Sequence, residues 1–326
     1  MKSTFVAVVK ATVTAVLFYL LFRSVNFTEF VATLRHARYD ILLAGFLVLW
    51  LGHYICIFRW RMLMRPLMPI PSLTNLFGIY CIGLFFNLAF PTVVGGDVVK
   101  MYYAGKPSRR FAQSFAATFL DRDTGMLAMM IIAVVATLFH PVRLAGIPVP
   151  LIIWSAFVLF VAVNVAIFAP RFHQAFVRGL QKLRLERIAA KVDMISLAFQ
   201  TIGRHWNVLA LSLLISVVNQ MLVISVTWLT AVALRIEVSF LYFLVFVPVI
   251  TLISMIPISL NGMGLREYAF VTLFTAIGVD RESGVALGLL SSAIILLSAL
   301  PGGVVYVFFR SRADVEQMTR LETGFT

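Results

Sequence analysis

Pro91-Thr-Val-Val-Gly-Gly-Asp97-Val-Val-Lys100 closes one long apolar run, and Pro257-Ile-Ser-Leu-Asn261-Gly-Met-Gly-Leu-Arg266 closes another. A shift of 166 residues lays Pro91 on Pro257, Gly96 on Gly262, Lys100 on Arg266 and Tyr102 on Tyr268. Both places therefore read apolar run, proline, glycine-containing turn, cation, tyrosine. Working outward, the same shift carries the apolar stretch at 41–60 onto 207–226. The chain reads as two repeats.

The composition says what kind of repeats these are. Of 326 residues 61% are hydrophobic and only 13% charged, with 27 Lys and Arg against 14 Asp and Glu. Soluble domains carry about 25% charged residues, so ordinary globularity and disorder are both excluded. At about 20 apolar residues per crossing, the length fills with membrane spans. The formal charge of +13 does not point to nucleic acid, because the cations flank apolar segments rather than forming a basic domain. Cys56 and Cys81 lie within apolar runs, which speaks against a disulfide or metal site. His36, His53, His140, His173 and His205 show no metal spacing. No cofactor and no metal is expected, and His53 reads as a packed or hydrogen-bonded histidine.

Charge-free stretches place spans near 4–23, 41–60, 113–139, 148–169, 207–230 and 285–309, with re-entrant segments near 70–94 and 239–262. The first repeat then covers 1–143, the second 144–312, and 313–326 forms a cytoplasmic tail. Between 171 and 204, Phe172, Phe176, Leu180 and Leu183 share a helical face opposite Arg171, Arg178 and Lys182. That pattern reads as an amphipathic linker lying in the headgroup layer. With both termini cytoplasmic, most of the Lys and Arg fall inside, as positive-inside topology requires. Three crossings per half then force the second half to be inverted relative to the first. The expected fold class is all-α: a polytopic transmembrane helical bundle of two inverted repeats, each with a re-entrant helical hairpin. Inverted repeats with broken apolar segments characterise secondary transporters.

Three features could carry the chemistry. In Phe119-Leu-Asp121-Arg122-Asp123-Thr-Gly125, each ionised side chain at mid-helix costs roughly 2.5–3.5 kcal/mol on insertion scales. Ser114, Thr118, Asp121, Arg122 and Gly125 fall within about 100° of arc on a helix, and Asp123 points away to another helix. Two readings stand: a buried structural ion pair, or an Arg122 that meets a ligand while Asp121 orients it. On 207–228, Ser212, Ser216, Asn219, Gln220 and Thr227 share a face, as either helix glue or cavity lining. The two turns form the third feature. Gly95, Gly96, Gly262 and Gly264 permit unusual backbone angles, and Lys100 and Arg266 add positive charge beside a helix start, a setting that attracts phosphate or carboxylate. There Asp97 either caps its helix or serves the site, and Glu267 either pairs with Arg266 or serves the site. Arg59, Arg61 and Arg65 around Trp60 read as an interfacial anchor.

Gly95-Gly96-Asp97-Val-Val-Lys100, Asp121-Arg122-Asp123-Thr-Gly125, Asn261-Gly-Met-Gly264-Leu-Arg266-Glu267 and Leu300-Pro301-Gly302-Gly303 occur in that order. Together they resemble the lysylphosphatidylglycerol synthase transmembrane-region family of flippase-like membrane proteins, over nearly the whole chain. The resemblance implies movement of lipids or lipid-linked sugars between leaflets, and carries Asp97, Lys100, Arg122, Arg266 and Glu267 over as functional positions. The aminoacyl-phospholipid branch of that family adds a soluble aminoacyltransferase domain. This chain ends at Thr326, soon after its last span, and is expected not to make lysyl-phosphatidylglycerol by itself.

The function expected is therefore a lipid translocase of the bacterial cytoplasmic membrane, not an enzyme, working through a polar cleft between the repeats. Its partner would be an anionic or aminoacylated phospholipid or a polyprenyl-phosphate-linked sugar, with no nucleic acid and with a homo-oligomer left open. The substrate-binding set is Asp97, Lys100, Asp121, Arg122, Asn219, Gln220, Asn261, Arg266, Glu267, Tyr102 and Tyr268. Pro91, Gly95, Gly96, Pro257, Gly262 and Gly264 would shape the turns. The alternatives are a small-solute secondary transporter and a membrane-embedded transferase acting on a lipid phosphate.

Overall fold

The computed structural model describes residues 2–23, 25–89, 95–144, 146–168, 178 and 186–308. Pro91, most of the amphipathic linker and the tail at 313–326 lie outside the described residues.

The fold is all-helical. Helices α1 (Lys2–Arg23), α2 (Phe27–Arg35), α3 (Tyr39–Met64), α4 (Leu73–Ala89), α5 (Gly95–Gly105) and α6 (Phe111–Phe139) make up the first half. They are followed by α7 (Val149–Phe168), α8 (Glu186–Gly203), α9 (Trp206–Ala233), α10 (Phe240–Ser254), α11 (Leu265–Thr275) and α12 (Arg281–Ala299). Helical structure resumes after α12 as far as Phe308. A two-residue antiparallel pairing, Arg143–Leu144 with Ile147–Pro148, closes the turn before α7.

Among the described residues, Tyr39–Met64, Phe111–Phe139, Trp206–Ala233 and Arg281–Phe308 are long and apolar enough to cross a membrane. These match four of the six spans expected. At 4–23 the first helix turns through 91° into α2, and that bent pair would make a fifth. At 148–169 α7 has 20 residues, about 30 Å at 1.5 Å per residue and so at the lower limit for a crossing. The chain is a multi-pass integral membrane protein.

The segments expected to re-enter differ in detail from the sequence reading. Within 70–94 the described residues form one uninterrupted helix, α4, of 17 residues, and within 239–262 the main element is α10, of 15. Helices of that length reach only about 23–26 Å, short of the roughly 30 Å hydrocarbon core. Among the described residues, neither segment contains a return arm. The helix packed back on α4 is α5, and the helix packed on α10 is α11. Glycine makes the first of these approaches close: a Cβ on Gly96 would collide with the carbonyl oxygen of Gly83 in α4. Gly96 N–H instead donates to Asn87 Oδ1 at 2.8 Å.

Helix lengths recur in order. Helices α3, α4, α5 and α6 have 26, 17, 11 and 29 residues. Their later counterparts α9, α10 and α11 have 28, 15 and 11, and Arg281–Phe308 has 28. The packing crosses between halves: α6 lies against α8 and α10, while α12 lies against α2 and α4. Helices α3 and α9 share the most extensive interface. One apolar core gathers Phe243, Phe246, Phe274 and Leu287, and a second gathers Trp60, Leu63, Met64, Leu76 and Ala117.

Candidate functional site

Helix α6 carries Asp121 and Arg122 side by side, and the structure sends them to different partners. Arg59 of α3, expected as an interfacial anchor, is buried at 4% exposure. Its Nε donates to Asp121 Oδ1 at 2.7 Å, one terminal nitrogen donates to Ser216 Oγ at 2.6 Å and the other to the Asp121 carbonyl at 2.8 Å. Asp121 thus holds Arg59, not Arg122. Successive residues on a helix point about 100° apart, so adjacency in sequence did not make a pair. Trp60 is likewise buried, its indole N–H donating to Thr118 Oγ1 at 3.1 Å.

Arg122 reaches across to α5 and pairs with Asp97 Oδ2. Lys100 Nζ meets the other oxygen of Asp97 at 2.8 Å and lies over the rings of Tyr80 and Trp60, at 5.1 and 5.7 Å from their centroids. One carboxylate therefore holds two cations. Lys100 is fixed by its ion pair and by cation–π contact, and its stem packs where Gly83 leaves room. The side chain of Arg122 is 29% exposed, against 10% for Lys100 and 5% for Arg59. Among the residues of these two linked ion pairs, Arg122 is the one open to an approaching molecule. Asp123 turns to the opposite side and interacts with Asn164 of α7, as the helical projection required.

The polar face of α9 acts mainly as glue. Ser216 accepts from Arg59, Ser212 Oγ lies 3.2 Å from Thr124 Oγ1, and Gln220 Nε2 donates to the Gly125 carbonyl at 3.0 Å. Thr227 bonds back to its own helix. Asn219 is buried beside Gly52, and its Oδ1 has no partner among the described residues.

The second turn is built differently. Asn261, Gly262 and Gly264 have φ of +49°, +75° and +78°. These left-handed angles suit glycine, and asparagine tolerates them. Leu260 N–H donates to Thr14 Oγ1 at 3.0 Å, so α1 clasps this turn. Glu267 is 1% exposed. Its Oε2 accepts from Gly264 N–H at 2.6 Å, and its Oε1 accepts from the Ser292 hydroxyl. Both oxygens are spent on capping and on α12, so Glu267 does not pair with Arg266. Pro257 is exposed in the preceding turn. Tyr102 and Tyr268 are 46% and 45% exposed; they share an outward position, and neither joins the ion pairs. Arg266 sits on α11, whose main neighbours are α1, α10 and α12, so the structure does not gather it with Lys100 and Arg122.

Residues 7–303 match the family described as lysylphosphatidylglycerol synthase TM region. The chain belongs to that family. No curated protein and no solved structure matches it. In this member of the family the ordered motifs acquire distinct positions: Asp97 and Lys100 join Arg122, Asp121 joins Arg59, and Pro301-Gly302-Gly303 runs against α4. A Cβ at Gly302 would collide with the Cys81 carbonyl. Sequence reasoning missed Arg59, whose spacing from Gly52, Cys56 and Leu63 on one face of α3 was the available signal. His53, by contrast, meets Ser298 Oγ at 3.2 Å as a hydrogen-bonded histidine.

Proposed function

We propose that this protein translocates a phosphate-bearing lipid between the leaflets of a bacterial cytoplasmic membrane, with both termini cytoplasmic. The observation that carries the reading is the sharing of Asp97 by Lys100 and Arg122 inside an apolar bundle. A cation in the hydrocarbon region is costly and marks substrate pathways. A phosphate arriving at Arg122 can take the place of Asp97 there while Lys100 keeps its carboxylate, so neither cation is stranded. The planar guanidinium suits phosphate oxygens. Acyl or prenyl chains would stay in the bilayer while the headgroup passes.

Membership of a lysylphosphatidylglycerol synthase TM-region family supports a lipid over a small solute. We take the two halves as inverted repeats with α4–α5 and α10–α11 as re-entrant pairs. The matched helix lengths and the exchanged packing of α6 and α12 support that relation. Rocking of one half against the other would alternate access to the site.

The test is leaflet exchange of fluorescent lipids in proteoliposomes. Wild type is expected to accelerate exchange of an anionic, aminoacylated or prenyl-phosphate lipid, and Arg122→Ala and Lys100→Ala to abolish the acceleration. Equal exchange by wild type and both variants would sink the proposal.

A further inference from the structure

His53 stands near the middle of α3, a helix long enough to span the membrane, and is partly buried there. Ionisable side chains at that depth are costly, and in transporters they form proton relays. Its Nε2 lies 3.2 Å from Ser298 Oγ of α12, and the Ser298 hydroxyl donates to the Ile295 carbonyl at 2.7 Å. A hydroxyl has one proton to give. Ser298 can therefore only accept from the histidine. The hydrogen of the neutral ring is thus fixed on Nε2, and Nδ1 is left as the base.

The ring belongs to a line of side chains that ends at the shared carboxylate. Tyr80 of α4 packs on His53 with ring centroids 5.8 Å apart, and Lys100 Nζ lies 5.1 Å from the Tyr80 ring. The charge of Lys100 acts on His53. On α3 itself, Cys56 is hydrogen-bonded to Tyr80; thiols and phenols titrate above neutral pH. Arg59 is neutralised by Asp121 of α6. Helix α9 carries no titratable residue, and the charged residues of α12, Arg281 and Glu282, lie at the end away from Ser298. The net charge felt at His53 is therefore that of Asp97, Lys100 and Arg122 together, one positive charge. It opposes a second positive charge on the imidazole, and a singly charged phosphodiester at Arg122 cancels it.

We infer that His53 takes up a proton when an anionic headgroup binds at Arg122, so that the proton is the ion coupled to translocation. The inference rests on the proposed headgroup site. The proton passes from water to the lone pair of Nδ1 as the headgroup arrives, and returns to water as it leaves. One anion and one proton enter together, so the loaded protein carries the same charge as the empty one. A proton gradient would then set the direction of transport.

The test is calorimetric titration of the intact purified protein with short-chain phosphatidylglycerol, in two buffers of different ionisation enthalpy. The phosphodiester does not titrate near neutral pH, so any proton taken up goes to the protein. Wild type should gain up to one proton per headgroup, and its affinity should rise about tenfold as pH falls across the range of about 8 to 5 in which histidine titrates. The amide of His53→Gln can still donate to Ser298 but cannot take the proton. That variant should bind without uptake and with a flat pH profile. Uptake that persists in His53→Gln puts the proton on another group, Asp97 first among them, and overturns the inference. So does the absence of uptake by wild type, a measurement that needs no variant to fold. Either result leaves translocation standing, because leaflet exchange is read separately. Equal binding by wild type and Arg122→Ala would instead refute the headgroup site, and this inference with it.

Discussion

Arg59 and Asp121 tie the two halves of the molecule together: the guanidinium that holds Asp121 at 2.7 Å also donates to Ser216 of α9. Both charged residues are nearly inaccessible. Removing one partner of such a pair leaves an uncompensated buried charge, which costs about 3–5 kcal/mol. Arg59→Met and Asp121→Leu alone should each destabilise the protein by that amount. The double variant should recover most of the loss. Thermal melts in detergent followed by tryptophan fluorescence would check this, and equal damage in single and double variants would refute it.

Gly83 and Gly96 face each other across α4 and α5 but should respond differently to alanine. At Gly96 the added methyl meets the backbone of Gly83, whereas at Gly83 it first meets the flexible stem of Lys100. Gly96→Ala should therefore separate the helices and lower folded yield sharply, with a cost of about 1–3 kcal/mol or more. Gly83→Ala should fold better yet exchange lipid poorly, because Lys100 is displaced. Comparison of size-exclusion yield with proteoliposome activity separates the two effects.

Asp97→Asn frees Lys100 and Arg122 from their shared carboxylate. Binding of an anionic lipid should tighten by about tenfold, from the lost competition of a charge-assisted hydrogen bond. Release should slow, so leaflet exchange should fall even as affinity rises. A variant that binds more weakly than wild type would show that Asp97 assists the ligand instead of competing with it.

Glu267→Ala strands Gly264 N–H and the Ser292 hydroxyl, and should cost about 1–3 kcal/mol of stability. Glu267→Gln should recover part of that, since the amide oxygen can still accept one of the two bonds. Unchanged melting with abolished exchange would instead make Glu267 a substrate contact.

The spans at 41–60, 113–139, 207–230 and 285–309 were legible because a charge-free run of about 20 residues admits few other structures. The cluster 121–123 was legible as important because its charges are costly at mid-helix. Its pairing was not. Neighbouring charges invite pairing on paper, yet a helix sends them apart, and the choice of Arg59 for Asp121 and Asp97 for Arg122 is made by helix packing. Arg59 was obscured because Arg-Trp-Arg is also the composition of an interfacial belt. Only the small residues Gly52 and Cys56 on its face mark it as inward.

The packing of α2 on α12 has a consequence for biosynthesis. Asn26 N–H donates to Glu282 Oε1 at 3.2 Å, across 256 residues of chain. At about 5–20 residues per second, a ribosome needs roughly ten to fifty seconds to supply that partner. For part of that interval, roughly five to twenty seconds, Arg59 and Asp121 have been made and Ser216 has not. The contact between Asn26 and Glu282 therefore forms only once the last long helix has been made.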